Sequence, residues 1–129
     1  EMLETEDEKI CGLLHDIVED KMVTYEDLFY LGIAPHIIDA LKLLNHDKNM
    51  YPNYEDYITS ILESSNELAI RVKYADMLDN TSEKRLNMLE ETIKLKLKNK
   101  YRFQLPRLKE KVEELNKKIN LKRERKYVW

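Results

Sequence analysis

The sequence has 129 residues, enough for one domain and too few for two ordinary ones. Hydrophobic residues make up 43% and charged residues 36%, with 2 glycines and 3 prolines. Folds rich in turns consume both of those residues, so the composition argues against an all-β chain and for helices. One cysteine, Cys11, leaves no internal disulfide, no signal peptide is visible and no apolar run approaches the roughly 20 residues of a membrane span. The expected setting is cytoplasmic, with no membrane partner.

The net charge of −3 conceals an asymmetry. Glu1 to Asn80 carries 18 acids and 6 bases, a net of −12, whereas Thr81 to Trp129 carries 7 acids and 16 bases, a net of +9. A basic half can mark a nucleic-acid binder. Here the bases alternate with Leu, Ile and Glu along helical patterns, and no aromatic stacking platform accompanies them. The expectation is a solvated face docked on the acidic half, and nucleic acid is not an expected partner.

Helix signals follow one another along the chain. Thr5 and Glu8 form a capping box opening a first helix, with Ile10, Leu13, Leu14 and Ile17 on one face. Thr24 and Asp27 start a short second helix that stops at Gly32. Pro35 suits the first turn of a third, with Ile37, Ile38, Leu41 and Leu44 as its apolar positions. After a polar loop, Asn53 caps a helix carrying Tyr54, Tyr57, Ile58, Ile61 and Leu62, and Ser64-Ser65-Asn66 breaks it from the next, with Leu68, Ala69, Val72, Ala75 and Met77 or Leu78. One helix is expected from about Glu83 to Leu105, with Leu86, Leu89, Ile93 and Leu97 on one face. Pro106 then restarts a final amphipathic helix bearing Leu108, Val112, Leu115 and Ile119, a spacing that fits an internal seam or a homodimer contact equally. The pattern is all-α with about seven helices, residues 1–105 forming one domain and 106–129 an added basic helix.

Two stretches carry the polar chemistry. At the end of the first helix, Leu13-Leu14-His15-Asp16-Ile17-Val18-Glu19-Asp20 places His15 with Glu19, and Asp16 with Asp20, one turn apart on shared faces. A histidine beside a carboxylate offers the nitrogen and oxygen mixture that suits manganese, iron or zinc. The plainer reading is a helix end with solvated acids and a histidine favouring the dipole. In the second stretch, Val72-Lys73-Tyr74-Ala75-Asp76-Met77-Leu78-Asp79-Asn80, an aspartate sits among residues suited to burial and needs a cation nearby. Lys73 and Asn80 share its face. A surface Lys73–Asp76 pair is the bland account, and an aspartate ligating the same metal as His15 and Asp16 is the sharper one.

Taken together the two stretches resemble the HD-domain phosphohydrolases, in particular the RelA/SpoT-like hydrolase branch. Leu41-Lys42-Leu43-Leu44-Asn45-His46 and Tyr54-Glu55-Asp56-Tyr57-Ile58 resemble that branch's middle section, and the similarity runs from about Thr5 to Arg85 with order and spacing intact. The resemblance implies an HD-type helical bundle in which His15, Asp16 and Asp76 are metal ligands, Glu19 and Asp20 activate the attacking water, and Asn80 holds the scissile phosphate and nucleotide. Lys73 falls where the branch has a base near substrate, and His46 is a further candidate contact. The metal implied is divalent, usually manganese. The reaction implied removes the 3′ pyrophosphate of the guanine-nucleotide alarmone ppGpp or of another phosphorylated nucleotide.

The branch has a first metal-ligand histidine on a preceding helix, but no histidine precedes His15 here. Glu1-Met2-Leu3 reads as helix interior, so a truncated N-terminus is expected. Lys21 stands where the branch commonly has Thr. A pyrophosphokinase activity is not expected, since it would need a further mixed α/β domain beyond these 129 helical residues. Two other classes remain open, a catalytically silent nucleotide-binding module and a helical interaction protein using Lys117, Lys118, Lys122 and Arg123. Elsewhere, Cys11 is expected as a buried thiol, His36 as solvent-facing or structural, and Tyr51, Tyr54 and Tyr57 as core residues with exposed hydroxyls.

Overall fold

The computed structural model describes residues 3 and 5–126, with side chains up to residue 123. Among these residues there are eight helices and no strand: α1 (Glu6–Glu19), α2 (Tyr25–Tyr30), α3 (Pro35–Leu44), α4 (Tyr54–Glu63), α5 (Glu67–Asn80), α6 (Glu83–Leu86), α7 (Glu91–Tyr101) and α8 (Gln104–Lys126). None of them is long and apolar enough to cross a membrane.

Capping sets most boundaries. Thr5 and Glu8 exchange side-chain and backbone hydrogen bonds at the start of α1, and Thr24 and Asp27 do the same for α2. Asn53, Asn66 and Ser82 each accept a backbone N–H at the starts of α4, α5 and α6, so each satisfies a donor the helix cannot. α1 and α2 end alike. Lys21 and Met22 donate back to Val18 and Ile17, as Gly32 and Ile33 donate to Phe29 and Leu28. Gly32 takes the left-handed conformation at φ 89 without strain, but Lys21 takes it at φ 60 with a Cβ to accommodate.

The helix expected over Glu83–Leu105 is two helices. Leucine periodicity runs through the break, but Asn87 ends α6 after one turn, Met88 and Leu89 fold back on Arg85 and Leu86, and Glu90 is extended ahead of α7. The shared face fails as well, since Leu86 is buried while Ile93 is 46% exposed. On α1 the inward face runs through Cys11, Leu14 and Val18, and Leu13 is 69% exposed, contrary to its expected place. α8 begins two residues before Pro106, whose missing N–H falls in a first turn that has no use for it. Of the helical reading of Glu1-Met2-Leu3, Glu1 and Met2 lie outside the described residues and Leu3 is not helical.

α5 is the hub. It packs against α1, α3, α4, α6 and α8, and is flanked by α1 and α3, which also pack on each other. Ala69, Ile70, Val72 and Met77 of α5 meet Ile38, Leu41, Tyr57, Ile58 and Ile61 in one core. Leu108, Val112 and Leu115 of α8 are buried in that same cluster, and Arg107 donates to Thr59 Oγ1 of α4 at 2.7 Å. Docking of α8 is therefore apolar rather than ionic. Among the described residues the ion pairs of α8, Lys111 and Lys118 to Glu114, stay within it.

Candidate functional site

The C-terminal half of α1 and the C-terminal half of α5 lie side by side, which brings the two polar stretches together. His15 Nδ1 is 2.7 Å from the Gly12 carbonyl. A carbonyl oxygen only accepts, so Nδ1 carries the hydrogen and Nε2 faces the other way. There it lies 3.2 Å from Asp16 Oδ1 and 3.9 Å from Asp76 Oδ1. Nε2 thus faces two carboxylates, the mixture of nitrogen and oxygen donors that a divalent first-row ion takes.

Asp76 is the organising carboxylate. Its Oδ2 is 3.3 Å from Lys73 Nζ and its Oδ1 accepts from Asn80 Nδ2 at 3.4 Å. Asn80 Oδ1 in turn accepts from Arg85 Nη2 at 3.2 Å, and Arg85 also reaches Asp79 Oδ2 at 3.5 Å. The Lys73 side chain is only 12% exposed, so its pair with Asp76 is no surface contact.

These groups line a cavity of about 270 Å³, together with Glu19, Leu44, His46, Tyr54, Tyr57, Lys100 and Tyr101. The rings form its aromatic part. His46 stacks on Tyr57 with centroids 4.3 Å apart and donates from Nε2 to the Tyr51 carbonyl, 2.8 Å away. Tyr54 lies 5.6 Å from both Tyr57 and Tyr101. Contrary to the sequence expectation, the hydroxyls of Tyr54 and Tyr57 are buried, that of Tyr57 donating to the Leu44 carbonyl. Burial raises the pKa values of Tyr54, Tyr57 and Tyr101, and the nearby carboxylate of Asp76 adds to the rise.

Seven of the eight residues singled out in the sequence therefore share one cavity: His15, Asp16, Glu19, His46, Lys73, Asp76 and Asn80. Asp20 is not among the lining residues. It caps the C-terminus of α1 and is exposed. Asp79, Arg85, Lys100 and Tyr101 also line it and were not singled out. Asp79 lay within a quoted motif. Lys100 and Tyr101 sit in a segment whose periodicity gave no sign that it turned back toward α5. His36 is exposed and paired with Asp7 at 2.8 Å, away from the cavity.

The cluster offers one imidazole nitrogen and carboxylate oxygens, the donor types a divalent first-row ion takes. Among the described residues, His15, Asp16 and Glu19 offer ligand atoms within 4.8 Å of one another. Two ligands on one ion with bonds of about 2.1 Å stand at most about 4.2 Å apart. His15 Nε2 is within that limit of Asp16 at 3.2 Å and of Asp76 at 3.9 Å, although the group that is mutually close is His15, Asp16 and Glu19, without Asp76. A groove of about 680 Å³, lined by Leu3, Gly12, Leu13 and Leu78, opens on the same His15, Asp16 and Asp76. No protein family, curated protein or solved structure matches the chain.

Proposed function

We propose that this chain is a metal-dependent nucleotide phosphohydrolase of the HD type, removing the 3′ pyrophosphate of guanosine tetra- or pentaphosphate. The observation that carries the reading is the convergence of two separate stretches, one ending α1 and one ending α5, on a single polar cavity. The aromatic groups beside them and the resemblance of both stretches to the alarmone hydrolases narrow the substrate to a nucleotide.

His15, Asp16 and Asp76 would hold a divalent ion, manganese by the resemblance, with Glu19 within reach of the same position. When bound, the ion supplies a Lewis acid that polarises a phosphoryl oxygen and acidifies water. The chain does the rest. Glu19 takes the proton of the attacking water at its carboxylate, a role for which it lines the cavity and Asp20 does not. Lys73 and Arg85 keep positive charge where negative charge gathers on the departing pyrophosphate. Asn80, tied to Asp76 on one side and Arg85 on the other, is fixed in orientation and presents its amide beside the phosphate. The His46–Tyr57 stack and Tyr101 offer flat surfaces against a base. The groove along Leu13 and Leu78 leaves the cluster open to a further ligand.

A panel of phosphorylated nucleotides, incubated with the gene product and manganese, tests this reading. Release of pyrophosphate that a chelator stops, and that His15→Ala abolishes, is the expected result. Nucleotide binding without release would point to a silent binding module. Activity lost on replacing Lys117, Lys118, Lys122 and Arg123 but kept in His15→Ala would make the chain an interaction protein.

A further inference from the structure

The cations of the cavity are not equivalent. Lys73 is held by Asp76 at 3.3 Å and Arg85 by Asp79 at 3.5 Å. Lys100, from α7, lines the same cavity, and among the described residues it forms no ion pair. Its ammonium stands 4.5 Å from the centroid of Tyr54 and 5.5 Å from that of Tyr101, while Lys73 stands 5.6 Å from the same Tyr54 ring. Two ammonium groups from different helices thus converge on one tyrosine, a second observation that neither the motifs nor the cluster explains.

The ring accounts for part of this, since a cation over an aromatic face is favourable. It does not account for the pair, because like charges that converge repel. Burial, then Lys73 and Lys48, pull the Lys100 pKa below the ordinary lysine value, with Glu19 and Asp76 pulling the other way. An anion between the two ammonium groups removes the repulsion and completes the site. Lys73 already has Asp76 as its partner, whereas Lys100 forms no ion pair among the described residues and has its charge left for an anionic group of the ligand.

We propose that Lys100 is a specificity-determining residue that, with Lys73, grips a phosphate group of the substrate. The proposal rests on the nucleotide-phosphohydrolase reading. Lys100 has no distinguishing mark in the sequence, being one lysine among the alternating bases of α7.

The test is calorimetric titration of guanosine tetraphosphate into the gene product in chelator, where no turnover is expected, alongside KM measured with manganese. Lys100→Gln is expected to weaken binding about tenfold, the loss of one charge-assisted contact to phosphate, with KM rising in parallel. Lys100→Arg should restore binding to within about threefold, and the dependence of affinity on salt should be shallower in Lys100→Gln than in wild type. Wild-type affinity in Lys100→Gln, or no rescue by Lys100→Arg, overturns the proposal. Binding that needs Lys100 in a wild-type chain that never hydrolyses would sink the phosphohydrolase reading and keep Lys100 as a phosphate contact. Hydrolysis with a KM indifferent to Lys100 would do the reverse, and no binding by the wild type would overturn both.

Discussion

Replacing Asp76 by asparagine preserves the side chain's shape and removes one negative charge from the cavity, with two opposing effects on the metal-free chain. Lys73, 12% exposed, loses its partner at 3.3 Å. Stripping one partner from a fully buried pair costs roughly 3–5 kcal/mol, and because Asp76 is 25% exposed, solvent reduces this to about 1–2 kcal/mol. Against this, carboxylate crowding around Asp16 falls, but Asp16 is 71% exposed and the relief is below about 1 kcal/mol. The loss wins by about 1 kcal/mol. For 129 residues, an unfolding entropy of roughly 2.1 cal/mol/K per residue turns that into a melting temperature about 4 °C lower. Manganese separates the structural role from the ligand role. At about 100 times its dissociation constant it should stabilise the wild type by about 2.7 kcal/mol, or about 10 °C on the same scale. In Asp76→Asn that increment should fall below about 3 °C. Calorimetric melts of both proteins, with manganese and with chelator, decide it. An equal manganese shift in the two would refute Asp76 as a ligand, and a metal-free variant melting above wild type would refute the ion-pair reasoning.

Other consequences are simpler to check. Burial, and then the Asp7 carboxylate, push the Cys11 thiol up from its ordinary 9.0 to about 12. The raised value favours the neutral thiol in the folded chain, so this contribution is complete below about pH 9 and is lost as pH climbs toward 12. Native protein should resist iodoacetamide at pH 8 and lose stability above pH 9, and alkylation at the rate of a free thiol would contradict the burial. Leu108→Ala should cost about 2–5 kcal/mol in denaturant unfolding, because Leu108 is 0% exposed within the shared core. A loss below about 1 kcal/mol would mean that α8 is an appendage rather than part of the bundle. Lys21→Gly should raise stability by about 0.5–1 kcal/mol by relieving the left-handed backbone at φ 60, and a lower melting temperature would show that no strain is held there.

Local signals told most about helix starts and least about what the helices turn toward. Thr5, Thr24, Asn53 and Asn66 act through atoms within three residues of themselves, so their caps are readable from spacing alone. The Glu83–Leu105 run shows the opposite case. Its leucines keep helical period across a break that depends on the backbone at Asn87 and Glu90, and on a face that is only partly buried. The cavity was legible where both partners stood in one helix, as with Lys73, Asp76 and Asn80. It was hidden where tertiary packing supplies the neighbour. Lys100 and Tyr101 of α7 meet Tyr54 of α4 across more than forty residues of chain, and the stacking of His46 on Tyr57 needs α4 to pack on the end of α3. Asp20 looked equivalent to Glu19 in the sequence, yet one residue is 100° around a helix, which is enough to take it from the cavity to the exposed cap.

The most direct test of the central claim is to follow guanosine tetraphosphate by phosphorus NMR in the presence of the gene product and manganese, with a chelator control and His15→Ala beside it. The account expects conversion to GDP and inorganic pyrophosphate that stops on chelation and is absent in His15→Ala. Unchanged substrate with manganese bound at the cluster would contradict the alarmone assignment, and release that persists in chelator or in His15→Ala would contradict the metal site itself.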